Sequence, residues 1–276
     1  MAKVVIIDLQ ESPLQKLMNY IFENYCELKE PCKAKGFPVD TETCVKCVKD
    51  SWYDGFRQYE CDNFKRVYLI RYLAVQIGQI TYPIKVSLLR YIKGIPQISA
   101  ISLGGGPGTE AIALIDGLRI CEGIYNITFE NIDGVVSWGE IYNDLASRFE
   151  EQVENINLES KFVYCDVTCY KSGKLFDLVF ISWVLSDMDK RKDWLKILEV
   201  AKNIVKPNGY ILVSDRADDI IIRDISSTLR EIGGLEIYRE ELPVSGHCGI
   251  VFPQNVKDTF GPRIGMGATY WVLRKP

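Results

Sequence analysis

The sequence has no uninterrupted apolar run close to the roughly 18 to 20 residues that are needed to span a bilayer. Met1 to Leu9 form a strand-like run that is broken by Asp8 and has no export-signal cleavage site. We therefore expect an intracellular protein, cytoplasmic or nuclear, without a membrane partner. Internal repeats and low-complexity tracts are also missing, so the chain is divided by its residue pattern.

Net charge is low as well. The formal charge is −4 for 276 residues, and residues 1–100 carry 14 Lys and Arg against 11 Asp and Glu. The front of the chain is therefore slightly basic and the remainder is acidic. This distribution lacks the strong basic footprint of a dedicated nucleic-acid-binding protein.

The residue pattern changes near residue 97 and predicts two parts, residues 1–96 and 97–276. In the front part, Pro13 to Tyr25 has apolar residues at helical spacing, with Ser12 as the N-cap. Residues 52–80 and 84–92 show the same spacing. We expect a mainly helical N-terminal region with a cysteine-rich loop over residues 26–47.

Beyond Pro96, short apolar runs alternate with turn residues and helical stretches, which is typical of βαβ units. This pattern predicts an α/β fold with a Rossmann-like, seven-stranded, mostly parallel sheet and helices on both faces. The last two strands are separated by a long loop without an evident helix and are expected to form a hairpin at the sheet edge. The predicted strands are residues 98–103, 127–132, 161–164, 178–182, 210–214, 235–238 and 269–273, and the predicted helices between them are residues 110–118, 140–153 and 193–205.

A glycine-rich segment with the sequence GGGPG, Gly104 to Gly108, follows the first predicted strand and opens a predicted helix. Glycines at such a turn let the backbone approach a ligand without a Cβ clash. A dinucleotide site requires G-x-G-x-x-G, but Thr109 occupies the position of the third glycine. Pro107 also lacks an amide hydrogen for a phosphate. The segment favours a ligand without phosphate over a nucleotide cofactor, and a turn required only by packing is the third interpretation.

Residues 102–110 resemble motif I of the class I S-adenosylmethionine (SAM)-dependent methyltransferases, and the span from about Ile98 to Arg274 is similar to their fold. Residues 176–187 and 206–213 resemble the fourth strand with its loop and the start of the fifth strand. The resemblance implies a SAM-dependent methyltransferase in which Asp133 accepts hydrogen bonds from the ribose hydroxyls and Asp166 accepts one from the adenine amino group. Turn and surface roles are the alternatives for these two acids. The residues implied in SAM binding are Gly104, Gly105, Gly106, Gly108, Asp133, Asp166, Val167, Ser182 and Trp183.

The sequence departs from the resembled pattern at two points. Ser102 stands where motif I commonly has an acid that helps to hold the amino group of SAM. Either Glu110 or another acid substitutes for it, or SAM binds less tightly. The 29 residues from Gly104 to Asp133 also exceed the roughly 20 expected in a dinucleotide fold, which indicates an extended connection near Cys121.

The segment from Ser182 to Asp187 corresponds to the loop that lines the methyl-transfer site in the resembled family. It lacks the Asn/Asp-Pro-Pro-Tyr motif that accepts exocyclic base amines, and Ser214 to Arg216 lacks the lysine of ribose 2′-O-methylating relatives. No cysteine nucleophile lies near the fourth strand. A ring nitrogen, an oxygen or a protein side chain is left as the methyl acceptor. Asp187 is the candidate proton acceptor or substrate orienter, with a helix N-cap as its alternative role, and His247, the one histidine, is either a base or a packed loop residue.

Nine cysteines in a chain without an evident export signal favour reduced thiols or metal ligands over disulfides. Cys26, Cys32, Cys44 and Cys47 form a C-x5-C-x11-C-x2-C cluster. A tetrahedral zinc site with four thiolates would fix a loop that is rich in lysine and poor in apolar residues, whereas scattered reduced thiols are the alternative. The lysines around it would then offer a surface for nucleic acid or protein.

The glycine and proline segment also resembles that of ribosomal-RNA methyltransferases, across the SAM core only. RNA is therefore the first hypothesis for the substrate. A small-molecule or protein acceptor is the second hypothesis, and a SAM-binding regulatory protein without catalysis is the third.

Overall fold

The computed structural model describes residues 12–28, 41–54, 59–188, 191–242 and 249–276. The chain divides into two compact units, one formed by residues 1–75 with 247–264 and the other by residues 76–246 with 265–276. None of the helices in the described ranges is long and apolar enough to cross a membrane.

The front of the chain is helical, as its sequence pattern predicts. Helix α1 has the predicted bounds, and the Ser12 hydroxyl caps it by accepting a hydrogen bond from the amide of Gln15 at 3.1 Å. Several short helical segments follow, two of them with π-helical geometry. In chain order they are α1 (Pro13–Tyr25), α2 (Thr41–Asp54), α3 (Asp62–Tyr68), a π-helical turn (Leu69–Leu73), α4 (Ala74–Pro83), a second π-helical turn (Ile84–Leu88) and α5 (Leu89–Ile92).

Part of the predicted cysteine-rich loop is a helix. The loop prediction is wrong for residues 41–47, which belong to α2. Cys44, Val45 and Val48 fall on one buried face of this helix, while Lys46 and Lys49 are exposed. This amphipathic spacing provides an apolar face for the helix. The helix was not predicted because the segment is rich in lysine overall.

The remainder of the chain forms the predicted α/β fold, with helices on both sides of a seven-stranded, mostly parallel sheet. In the part of the chain that the structure describes, four helices lie between consecutive strands, with none between the third and the fourth strand. A fifth helix precedes the last strand in the chain and belongs to the other compact unit. The strands are β1 (Gln97–Leu103), β2 (Tyr125–Asp133), β3 (Ile156–Tyr164), β4 (Phe176–Ser182), β5 (Val205–Arg216), β6 (Glu236–Leu242) and β7 (Ala268–Arg274). The helices are α6 (Thr109–Leu118), α7 (Trp138–Glu150), α8 (Arg191–Ile204), α9 (Asp219–Ile232) and α10 (Gln254–Phe260).

Two of these helices and the starts of two strands were not predicted, since β5 begins at Val205 rather than Tyr210. The segment before the last strand contains α10, whose Val256 and Phe260 are buried one turn apart, so the expectation of a loop without a helix is wrong. The sequence pattern did not predict helix α9 either. Strand β3 begins at Ile156 rather than Lys161, because it lies at the sheet edge and alternates buried or half-buried residues with exposed ones.

The strand order β3-β2-β1-β4-β5-β7-β6 decides where a ligand site can form. The chain moves outward from β1 to β3 and then returns to place β4 directly beside β1. Strands β1 and β4 are therefore neighbours whose following loops turn away from each other. A crevice opens at the carboxyl ends of strands at such a switch point. The antiparallel β7 pairs with β5 and β6, so the predicted hairpin ends the sheet with β6 at the edge.

Asp177 joins three of the parallel strands. Its carboxylate accepts hydrogen bonds from the Ser99 amide at 2.8 Å and the Ser99 hydroxyl at 2.6 Å, and it forms an ion pair with Lys206 at 2.9 Å. Burial alone would raise the pKa of Asp177, but the Ser99 and Lys206 contacts lower it below its usual value.

We expect Asp177→Asn to lower the free energy of unfolding by about 1 to 2 kcal/mol at pH 7, because the amide loses the ion pair and one of its acceptors. Since the folded-state pKa is depressed, this stabilisation is present above the usual Asp pKa and is lost as the pH falls below it. Urea unfolding from pH 7 to pH 3 measures both effects. Asp193→Asn, which removes an exposed helical ion pair with Lys196, is the control and should change stability by less than about 0.5 kcal/mol. An equal loss in both variants would contradict the assignment.

Candidate functional site

The glycine loop, residues 104–108, connects the carboxyl end of β1 to α6. Gly104, Gly106 and Gly108 have positive φ angles of 78°, 45° and 89°. A Cβ at Gly104 would collide with the side chain of Val184, which follows β4. The loop is therefore shaped for glycine and packs directly against the loop after β4 across the switch point.

The end of β2 holds this loop in place. The amides of Gly104 and Gly105 both donate to the Ile132 carbonyl, at 2.8 and 3.2 Å. The Asn131 side-chain amide donates to the Gly106 carbonyl at 2.9 Å, and the Gly106 amide donates to Asp133 Oδ2 at 2.9 Å. Asn131, which is buried inside β2, was missed by sequence reasoning because Thr128 and Glu130 in the same strand are also polar and nothing local distinguishes Asn131 from them.

These bonds decide which ligand the loop suits. The Gly108 amide donates to the Gly105 carbonyl at 2.8 Å, so every glycine amide in the loop is already used. Pro107 has none to offer. A nucleotide cofactor requires loop amides that point at its phosphates. The loop is therefore unsuited to a pyrophosphate but remains suited to a ligand without phosphate.

Asp133 lies at the carboxyl end of β2, beside the glycine loop. Its Oδ1 accepts from the Val135 amide at 2.8 Å, so each carboxylate oxygen already has one backbone donor and keeps capacity for another. Burial raises the pKa of Asp133 despite these two bonds. The arrangement presents an acceptor-only group to any ligand that lies over the loop.

Asp166 and Val167 follow β3, next to Asp133. The Cys165 amide donates to the Asp133 carbonyl at 3.0 Å and thereby joins the two strand ends. Asp166 Oδ1 accepts from the Thr168 amide at 2.9 Å and the Thr168 hydroxyl at 2.8 Å, which fixes a turn. The Asp166 side chain is exposed, whereas Val167 is buried.

Ser182 and Trp183 end β4 on the other side of the glycine loop. Both side chains are buried, and the Trp183 amide donates to the Ser214 carbonyl at 2.8 Å. Trp183 has a φ of 60°, in the left-handed region that bulky residues rarely adopt. Such strain persists only where the surrounding structure enforces it, and it concentrates at functional sites.

The turn Leu185–Asp187 and the end of β5 lie side by side. Asp187 Oδ1 is 3.6 Å from the Arg216 guanidinium, and the fully buried Asp215 accepts hydrogen bonds from the Ser186 amide at 3.0 Å and the Arg216 amide at 2.8 Å. Burial raises the pKa of Asp215. This part of the structure holds a carboxylate beside a guanidinium cation at the position that sequence reasoning assigned to Asp187.

Glu110 adds a third acid to this edge of the sheet. It lies in the first turn of α6 and is 2% exposed, and burial raises its pKa to about 8. Asp133, Asp215 and Glu110 thus all have carboxyl groups whose ionisation is opposed by burial. Acids with such shifts at a crevice mark a candidate ligand site, and these favour a ligand with positive charge.

The remaining sequence candidates are His247 and the four cysteines of the proposed zinc cluster. His247 and Cys32 lie outside the described residues. Cys26 and Cys47 are half-buried and Cys44 is buried. Within the described ranges, no group of three or more His, Cys, Asp or Glu side chains could hold a metal ion.

Comparisons with known proteins agree on the fold. The chain superposes on the magnesium protoporphyrin IX methyltransferase (ChlM) from Synechocystis PCC 6803 with bound SAH with a TM-score of 0.50 and 12% identity, covering 86% of this chain and 100% of that one. The N-methyltransferase NodS from Bradyrhizobium japonicum WM9 gives a TM-score of 0.47 and 13% identity over 71% and 97% of the two chains. A rRNA methylase from Streptococcus thermophilus gives 0.44 and 8% over 67% and 92%.

No protein family model matches the chain, and no curated protein matches it. The structural likeness therefore defines the fold, which is that of the class I SAM-dependent methyltransferases.

We expect Gly105→Ala to destabilise the protein by about 1 to 3 kcal/mol through overpacking. A Cβ at this position would overlap the Asn131 side chain and lie 2.6 Å from the Ser102 hydroxyl, and Asn131 is held by its bond to Gly106. Gly134→Ala is the matched control, because a Cβ there meets nothing within 4 Å and stability should change by less than about 0.5 kcal/mol. Thermal unfolding compares the two variants, and equal melting temperatures would show that the loop does not need a glycine at position 105.

Proposed function

We propose that this chain is a SAM-dependent methyltransferase whose cofactor binds at the carboxyl ends of β1, β2 and β4. The observation that carries the proposal is a glycine loop without free amides, held by Asp133 and placed beside buried acids. SAM has no phosphate and carries a sulfonium and an ammonium group. It therefore suits a loop that cannot bind phosphate and an environment that favours cations.

The proposed contacts follow from the position of each residue. Gly104, Gly105, Gly106 and Gly108 form the loop that the ligand approaches. Asp133 keeps one acceptor site on each oxygen for a ribose hydroxyl. We assign Asp166 and Val167 to the adenine, and Ser182 and Trp183 to the region of the methyl group, as the resemblance implies.

When bound, SAM supplies an electrophilic methyl group, so the protein mainly has to align the acceptor and exclude water. We propose that Asp187 orients the acceptor from the turn after β4. Its ion pair with Arg216 fixes the direction of the carboxylate. Asp215 holds that turn through its bond to the Ser186 amide.

For the acceptor we retain RNA, with a small-molecule or protein acceptor and a non-catalytic SAM-binding role as the alternatives. The exposed Lys46 and Lys49 on α2 support RNA because they offer cations for phosphate. Zinc binding by the cysteine cluster stays a prediction from the sequence, since Cys32 lies outside the described residues.

We expect Asp133→Ala to weaken SAM binding by about 1 to 3 kcal/mol, because two ribose hydroxyls and the glycine loop lose their acceptor. Isothermal titration calorimetry with SAM and with its demethylated product, S-adenosylhomocysteine, measures the change. Asp144→Ala on α7 removes an acid that is paired with Arg148 and should leave the affinity unchanged. Unchanged affinity in Asp133→Ala, or no binding by the wild-type protein, would refute the proposed site.

Transfer of label from methyl-labelled SAM tests the reaction. The protein is incubated with RNA, protein and metabolite fractions of a cell extract, and we expect the RNA fraction to take up label. Asp187→Asn should reduce labelling by about 100-fold while SAM affinity stays the same, since it loses the orienting charge but no proposed SAM contact. Label in the protein or metabolite fraction instead of the RNA fraction would reject RNA as the acceptor and favour a protein or a small molecule. SAM binding without any labelling would favour the regulatory role.

A further inference from the structure

Glu110 is buried, although its position in the chain does not require burial. It lies in the first turn of α6, where most acids face solvent, yet it is 2% exposed. Its Oε2 atom is buried and makes no hydrogen bond. A buried carboxyl oxygen without a hydrogen bond is unfavourable, so such an atom at a crevice indicates a donor that arrives with the ligand.

Two hydroxyl groups share this environment. Ser102 at the end of β1 and Ser182 at the end of β4 are both buried, and both hydroxyl groups approach the Glu110 carboxyl group. Their interaction with Glu110 lowers its pKa, although burial dominates and raises it to about 8. A carboxyl group and two hydroxyl groups from three elements therefore lie close together and are all buried.

An ammonium group matches this arrangement. It carries one positive charge and three N–H donors, and it has no acceptor that would compete. A sulfonium carries the charge but no donor, so it could not form a hydrogen bond to Glu110 Oε2 or to the two hydroxyl oxygens. The chemistry of the three oxygens thus favours the amino-acid end of SAM over its sulfur.

We propose that Glu110, with Ser102 and Ser182, binds the ammonium group of SAM, and that Glu110 gives up its proton when the ligand binds. This inference rests on the proposed function, because it assumes that SAM is the ligand. In the exchange, the neutral carboxyl group becomes a carboxylate paired with the ammonium, and the proton leaves to the buffer. Ser102 stands where motif I commonly has an acid, and Glu110 on the following helix supplies the acid instead.

The charges around Glu110 set the direction of the pH dependence. Asp133 faces it from β2 and raises its pKa, Tyr142 on α7 interacts with it as well, and the two serine hydroxyls oppose these effects in part. The free protein holds Glu110 mainly protonated at pH 7, whereas a bound cation favours the carboxylate. The affinity for SAM should therefore rise with pH up to about pH 8 and then level off, with a slope of at most about tenfold per pH unit.

Two ligands distinguish the contribution of the ammonium group from that of the ribose and adenine. S-adenosylhomocysteine retains the ammonium, whereas 5′-methylthioadenosine retains the ribose and adenine but has no amino-acid part. Asp133, which also has a raised pKa, faces the shared part of both ligands. Calorimetry at pH 7 in buffers of different ionisation enthalpy counts the protons released on binding.

For the wild-type protein we expect S-adenosylhomocysteine to release nearly one proton more than 5′-methylthioadenosine. Glu110→Gln should abolish this difference, weaken S-adenosylhomocysteine binding by about 10- to 100-fold at pH 8 and leave 5′-methylthioadenosine binding within about twofold. Equal proton release by the two ligands in the wild-type protein would overturn the inference without requiring any variant. Equal weakening of both ligands in Glu110→Gln would assign Glu110 a structural role, and failure of the wild-type protein to bind either ligand would instead refute the proposed function.

Discussion

The bonds between the end of β2 and the glycine loop determine most of what this site can bind. One carbonyl, one side-chain amide and one carboxylate of β2 engage three consecutive glycines. The loop is thereby held in a conformation that only glycine adopts without strain at several positions. Because its amides are used within the protein, the ligand must be recognised by side chains rather than by the backbone.

Three acids remain at this edge of the sheet. Asp133, Asp215 and Glu110 come from two strands and one helix, and burial opposes the ionisation of all three. Ionising a desolvated carboxyl group is costly without a cationic partner. In the proposed function, the cationic groups of the ligand supply that partner.

The strained Trp183 and the paired Asp187 and Arg216 lie beyond the glycine loop, on the other side of the switch point. Val184 connects the two halves, because its side chain fills the space that any Cβ at Gly104 would occupy. The loop after β4 therefore packs directly against the glycine loop.

The sequence by itself determined the succession of the seven strands along the chain, because apolar runs and turn residues depend on local spacing alone. It also located the glycine loop, Asp133 and the loop after β4, since each follows directly from a predicted strand end. It missed α9. It also missed α2 and α10, whose short apolar stripes lie within polar segments, and the edge position that shortened the prediction of β3. Only the tertiary structure decided that the loop amides are consumed and that Glu110 is buried against Ser102 and Ser182, because these contacts join residues that are distant in the sequence and depend on which strands become neighbours.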